Sequence, residues 1–83
     1  NMELQFKSEL TISESGFLFD HATGLTYTLN FTGQFIFRNI QDKQNARSIL
    51  SLVMNEFEVN EDTAHKDLDD FIRQLKEFNL VGE

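Results

Sequence analysis

Two histidines, His21 and His65, and fourteen carboxylates are the side chains of this chain with the most chemistry to offer. His65 and Asp69 stand at i, i+4 in a stretch of helical periodicity, so they could occupy two corners of a metal site. A metal ion wants three or four ligands in suitable geometry, and no further helical His or Cys joins them. Neither a metal nor a cofactor is therefore expected. General acid–base work needs paired carboxylates in a cleft with separated pKa values. Glu56, Glu58, Glu61, Asp62, Asp67, Asp69 and Asp70 instead gather at helix starts and on faces that read as solvated. A Ser-His-Asp group assembles in space and cannot be read from spacing. No nucleophile elbow and no glycine-rich phosphate loop is present. The chemistry left to the chain is the hydrogen bonding of its own backbone, and Leu25-Thr26-Tyr27-Thr28-Leu29 is where a strand could leave that backbone open.

The elements that would position this strand are legible from periodicity. Leu4, Phe6, Leu10 and Ile12 share one parity, interrupted only by Ser8, which predicts a first half-buried strand. Ser13-Glu14-Ser15-Gly16 is a turn, and Gly16 to Asp20 a second strand. His21-Ala22-Thr23-Gly24 connects it tightly to a third strand, Leu25 to Leu29, giving a hairpin. Asn30 is a helix N-cap. A first helix to about Ile40 follows, with Phe31, Phe35, Ile36 and Ile40 as its apolar stripe. Asn45 caps a second helix with Ala46, Ile49, Leu50, Val53 and Phe57 on one face. Asn60-Glu61-Asp62 opens a third, with Ala64, Leu68, Phe71, Ile72, Leu75 and Phe78 as its stripe. Asn79 fits a left-handed helix end, after which Leu80 and Val81 fold back on the core. No strand is predicted after Leu29. The order βββααα makes an α+β domain: a three-stranded antiparallel β-ribbon followed by three helices, the plan of a winged helix-turn-helix.

Eighty-three residues suit one small domain spanning 1–83, which buries only about 60% of its unfolded-chain surface. Nine phenylalanines help to fill that modest core. With no cysteine there is no disulfide, and with no apolar run of roughly 20 residues no membrane span. No signal peptide is visible, and a cytoplasmic location is expected. A net charge of -7 disfavours nucleic acid and anionic membranes and favours a partner carrying positive charge.

Three features coincide: the hairpin ending in Leu29-Asn30, the capped middle helix, and a last helix running from Lys66 through Asp67-Leu68, Phe71-Ile72 and Leu75 to Leu80-Val81. Together they resemble the PqqD-like family, small peptide chaperones that serve as recognition elements for ribosomally made, modified peptides. The family pattern has a "Leu-Asn" entry to the first helix and a terminal "Asp-Val-x-x-Phe-Leu-x-x-Leu-x-x-x-Gly-Leu-Leu". The likeness runs from about Leu10 to Val81. It departs at Gly33, where a small residue such as Ala is usual, in the absence of a glycine from Gln41 to Gln44, and at Asn79, which replaces a glycine.

The resemblance implies a protein with no catalytic centre. Such a protein binds the leader segment of a precursor peptide and presents it to a modifying enzyme, often a radical-SAM protein. The leader would add as a strand beside Leu25, Thr26, Tyr27, Thr28 and Leu29, in a groove bounded by the last helix. Asp67, Phe71, Gln74 and Phe78 form the flank of that helix carried over as the groove wall, and truncating Phe71 would then weaken peptide binding by about 1 kcal/mol or more with the fold intact. The same residues also fit a plain short edge strand and a plain helix core.

Two other functions fit the same architecture. A winged-helix DNA-binding protein would present Thr63 to Phe78 to phosphate, but that segment sets Lys66, Arg73 and Lys76 against Asp67, Asp69, Asp70 and Glu77. A protein-protein adaptor or homodimer would use the open strand edge for association.

Overall fold

The computed structural model describes residues 4–82. Its elements in chain order are β1 Gln5–Phe6, β2 Leu10–Ile12, β3 Phe17–Asp20, β4 Thr26–Thr28, α1 Phe31–Gln41, α2 Ala46–Phe57, α3 Glu61–Glu77 and β5 Val81–Gly82. β2, β3 and β4 form an antiparallel sheet with β3 in the middle, and β1 pairs antiparallel with β5. The three helices pack on one another and on the inner sheet face. Leu18, Ile36, Phe37, Ile49, Val53, Ala64 and Leu75 are fully enclosed between them. The fold is α+β, with the sheet ahead of a three-helix body.

Each helix begins on an asparagine. The side-chain oxygens of Asn30, Asn45 and Asn60 accept from the amides of Gly33, Ser48 and Thr63, at 2.7, 2.8 and 2.9 Å. Each thereby satisfies one of the orphan donors of the first turn. The helices end without glycine: Lys43, Glu58 and Asn79 all take left-handed backbone, with φ of 67°, 54° and 60°. After α3, Asn79 N–H donates to Lys76 O and Leu80 N–H to Leu75 O, both at 3.0 Å, which is the double bond of a Schellman motif. After α1, Lys43 and Gln44 repeat the pattern onto Ile40 O and Asn39 O. The glycine missing from Gln41 to Gln44 is thus replaced by a lysine in a conformation that costs about 1–2 kcal/mol for a residue with a Cβ.

Two strand expectations are corrected. The predicted first strand is two strands in two sheets. At Ser8, where the apolar parity fails, the chain bends, and Ser8 Oγ donates to Asp20 Oδ1 at 2.6 Å. β2 continues onto β3, while β1 turns aside to pair with β5. β5 itself, not expected from the sequence, exists because the left-handed Asn79 reverses the chain and lays Val81 beside Phe6. Lys7 N–H extends that ladder to Leu80 O at 2.9 Å. Leu80 and Val81 do return to the core, at 2% and 6% exposure. Phe31 is corrected too: it stands 80% exposed at the first position of α1. The buried face of that helix starts instead at Gly33 and continues through Ile36 and Phe37.

Asp20 is the one buried charged residue among those described. The Ser8 hydroxyl, and after it the amides of Ala22 and Thr23 with the Thr23 hydroxyl, hold its carboxyl below the usual range against the opposing effect of burial. A folded-state pKa lower than the unfolded value of about 3.9 stabilises the fold above that pH, and the contribution is lost as pH falls through the folded value. Asp20→Asn should therefore lower the urea midpoint at pH 7, and the gap to the wild type should narrow as pH drops below about 4. Urea titrations at pH 7 and pH 3 measure both.

Gly16 and Gln34 fix where β4 hands over to α1. Gly16 has φ 93°, and a Cβ there would fall 2.1 Å from Gln34 Nε2. Without that Cβ the Gln34 amide lies across the glycine and donates to Leu29 O at 2.9 Å.

Candidate functional site

β4 has a free edge, and the ladder determines which residues offer it. Leu29 N–H donates to Gly16 O at 3.2 Å and Asp20 N–H to Leu25 O at 2.9 Å. Between these bonds the register is Phe17↔Thr28, Leu18↔Tyr27, Phe19↔Thr26. Antiparallel pairs alternate between bonded and non-bonded, so Leu18–Tyr27 is a bonded pair. Thr26 and Thr28 consequently turn their N–H and C=O groups away from β3. Among the described residues no strand pairs with that side.

The side chains alternate accordingly. Thr26 and Thr28 lie on the outer face beside Phe19 and Phe17, which are 37% and 47% exposed. Tyr27 lies on the inner face and stacks on Phe78 of the α3 C-terminus, with centroids 4.3 Å apart and planes at 23°. Leu29 is 3% exposed and belongs to the core. Leu25, one residue before β4, is 55% exposed.

α3 meets the β4–α1 segment at two places. Phe78 meets Tyr27, and further back Phe71 meets α1 at Gly33, where a Cβ would sit 3.2 Å from the ring. Phe71 is 3% exposed, so it is core first, yet the ring also floors a hollow of about 120 Å3 between α1 and α3. Asn30, Thr32, Asp67, Asp70 and Gln74 line its walls. Asp70 bonds Lys66 at 2.7 Å and Arg73 at 2.6 Å, and these hydrogen bonds, Lys66 first, hold its carboxyl below the usual range. The Asp70 bond likewise pushes the Lys66 ammonium up. Asp67 is half-buried and takes part in neither ion pair.

The structure thus brings Tyr27 together with Phe78, and Asp67 together with Phe71 and Gln74, at two places along α3. It sets Leu29 apart in the core. Sequence reading missed the α1 side of the groove, Asn30 and Thr32, and also Asp70. Asn30 was legible only as a cap, because the approach of the first turn of α1 to α3 is a tertiary fact. The signal available was Gly33, a gap where a side chain is usual. The exposed pair Phe17 and Phe19 was legible only as a strand, since its inner and outer parities are both apolar at three positions in a row.

Other features offer less. A larger hollow, of about 690 Å3, lies between Phe6, Leu10, Phe37 and Ile40, and among the described residues Lys43 is the one charged residue on its wall. The far sheet edge, at β2, adjoins that hollow at Leu10, across from Phe37 and Ile40 of α1. His21 shares a 2.8 Å hydrogen bond with Thr11 and lies edge-on to Phe19. Among the described residues no three His, Cys, Asp or Glu converge, and no helix is long and apolar enough to cross a membrane.

The model of the coenzyme PQQ synthesis protein D (PqqD) family matches residues 16–81, and the chain belongs to that family. The match starts at the glycine before β3 and ends at Val81, so it takes in the open edge and the whole of α3. The structure of TbiB1 in complex with the TbiA(beta) leader peptide has the same fold, with a TM-score of 0.78 at 22% identity over 96% of this chain and 94% of that one. No curated protein sequence matches the chain.

Proposed function

We propose that this chain is a non-catalytic, single-domain carrier for the leader segment of a ribosomally made precursor peptide. The leader joins the sheet as a strand beside Thr26–Thr28, under the α3 flank of Asp67, Phe71, Gln74 and Phe78. The carrier then presents it to a modifying enzyme, for which the family resemblance suggests a radical-SAM protein. It raises the rate of that chemistry by holding substrate near another protein's site. The observation that carries this reading is the row of outward backbone groups at Thr26 and Thr28, with Tyr27 between them stacked on Phe78 of α3. Strand addition draws affinity from such groups and specificity from such a flank. Membership of the PqqD family and the shared fold of a protein solved with a leader peptide support it.

A random peptide display library selected on the protein, followed by NMR titration of the labelled protein with recovered peptides, tests it. Shifts concentrated at Thr26, Thr28 and the Asp67–Phe78 flank are the expected result. Binders that all map elsewhere would overturn the reading, and association of two protein chains through β4, seen by light scattering, would replace it with the dimer.

A further inference from the structure

We propose that the groove selects its client by charge: the captured peptide carries a lysine or arginine that donates to Asp67, and Asp67 is the residue that reads it. This rests on the peptide-carrier reading above and adds the chemistry of the client.

The argument begins with what covering Asp67 would do. Its carboxylate is half-buried beside the Phe71 ring, in the hollow that Gln74, Asn30 and Thr32 complete. The neighbouring acid is already paired, since Asp70 takes Lys66 on one oxygen and Arg73 on the other. The Asn30 side-chain oxygen is likewise occupied by Gly33 N–H. Asp67 enters no ion pair among the described residues. Its side chain is partly open to solvent. A peptide strand that covered it with an apolar side chain would leave a carboxylate without a donor, which is costly. A basic side chain supplies the donor and the opposite charge. Rejection of the wrong residue by an unpaired buried group is a general route to specificity.

The opposing field is smaller. The start of α1, next to the hollow, contributes about half a positive charge. Lys66 and Arg73 pair with Asp70, Lys66 also feels the Asp67 charge, and the chain as a whole carries -7. The hollow of about 120 Å3 is worth roughly four water molecules, the size of one side-chain end.

Geometry fixes where in the client this residue falls. From Phe78 back to Asp67 is eleven residues of helix, or roughly 16 Å. That is about five residues of strand. Only alternate residues of an added strand face α3, so the basic residue lies four or six positions from the one opposite Tyr27. The position opposite Tyr27 meets the Tyr27–Phe78 stack and takes an apolar side chain.

The test is the same peptide selection run in parallel on the wild type, Asp67→Asn and Asp69→Asn, the last an exposed acid on another face of α3. Recovered peptides that shift the Thr26 and Thr28 amides are then resynthesised with the basic residue changed to leucine. Expected is enrichment of Lys or Arg at one fixed position for the wild type and Asp69→Asn. The leucine peptides should bind at least about tenfold more weakly to both, a gap shrinking to within about twofold on Asp67→Asn. Peptides that shift Thr26 and Thr28 but show no basic preference, or keep the same preference on Asp67→Asn, overturn this inference alone. Peptides that never shift those amides overturn the carrier reading beneath it.

Discussion

Replacing Thr28 with proline should abolish peptide capture and leave the fold standing. Proline removes a backbone donor and fixes φ near -65°, which in a central strand breaks the ladder. Thr28 is a position where the ladder to β3 does not use the donor: Leu18 bonds to Tyr27, Gly16 to Leu29, and the Thr28 amide points to the open edge. The same holds for Thr26. Tyr27→Pro is the opposite case, because its amide belongs to β3.

The magnitudes separate the outcomes. Each lost edge bond removes about 0.5–1.5 kcal/mol of binding, and the proline ring also blocks close approach of the incoming strand. Thr26→Pro and Thr28→Pro together should weaken a selected peptide at least about a hundredfold, which corresponds to roughly 2.7 kcal/mol. Their thermal midpoints should stay close to the wild type, whereas Tyr27→Pro should unfold much earlier. Titration calorimetry and circular dichroism melts read the two effects. A Thr28→Pro protein that folds and still binds would mean that the peptide does not use this edge.

How far such statements could be made from sequence depends on the residue. The asparagine caps were legible because capping is local: an Asn before each apolar stripe has one job, and Asn30, Asn45 and Asn60 all do it. Asn79 was legible for the same reason. The strand pairings were not. Leu4 to Ile12 keeps one parity across Ser8, and only the distant Asp20 carboxyl shows why the chain bends there. β5 was invisible because two residues carry no period, and its existence depends on where the turn after α3 points. The groove was half legible. Tyr27 and the α3 flank were read separately, but nothing local says that Phe78 stacks on Tyr27, or that Gly33 lets Phe71 approach α1.

Phe71 shows what that difference means in practice. Read as a groove wall, it is a side chain that could be cut back with the fold intact. At 3% exposure, packed on Gly33 between α1 and α3, it is a core ring with one edge on the groove. Phe71→Ala should therefore cost about 3–5 kcal/mol of stability, from lost burial and the cavity left behind. A chain of this size has roughly 5–10 kcal/mol in total, so the variant should melt far below the wild type whether or not peptide is present. Weak binding by Phe71→Ala would then report unfolding and say nothing of the groove. Phe71→Leu keeps more of the volume and should cost less than Phe71→Ala. It leaves the floor of the hollow apolar but removes the flat ring beside Asp67. Urea denaturation of both variants, with peptide binding measured only where the protein is folded, separates the two roles of this residue. A Phe71→Ala protein as stable as the wild type would place the ring outside the core.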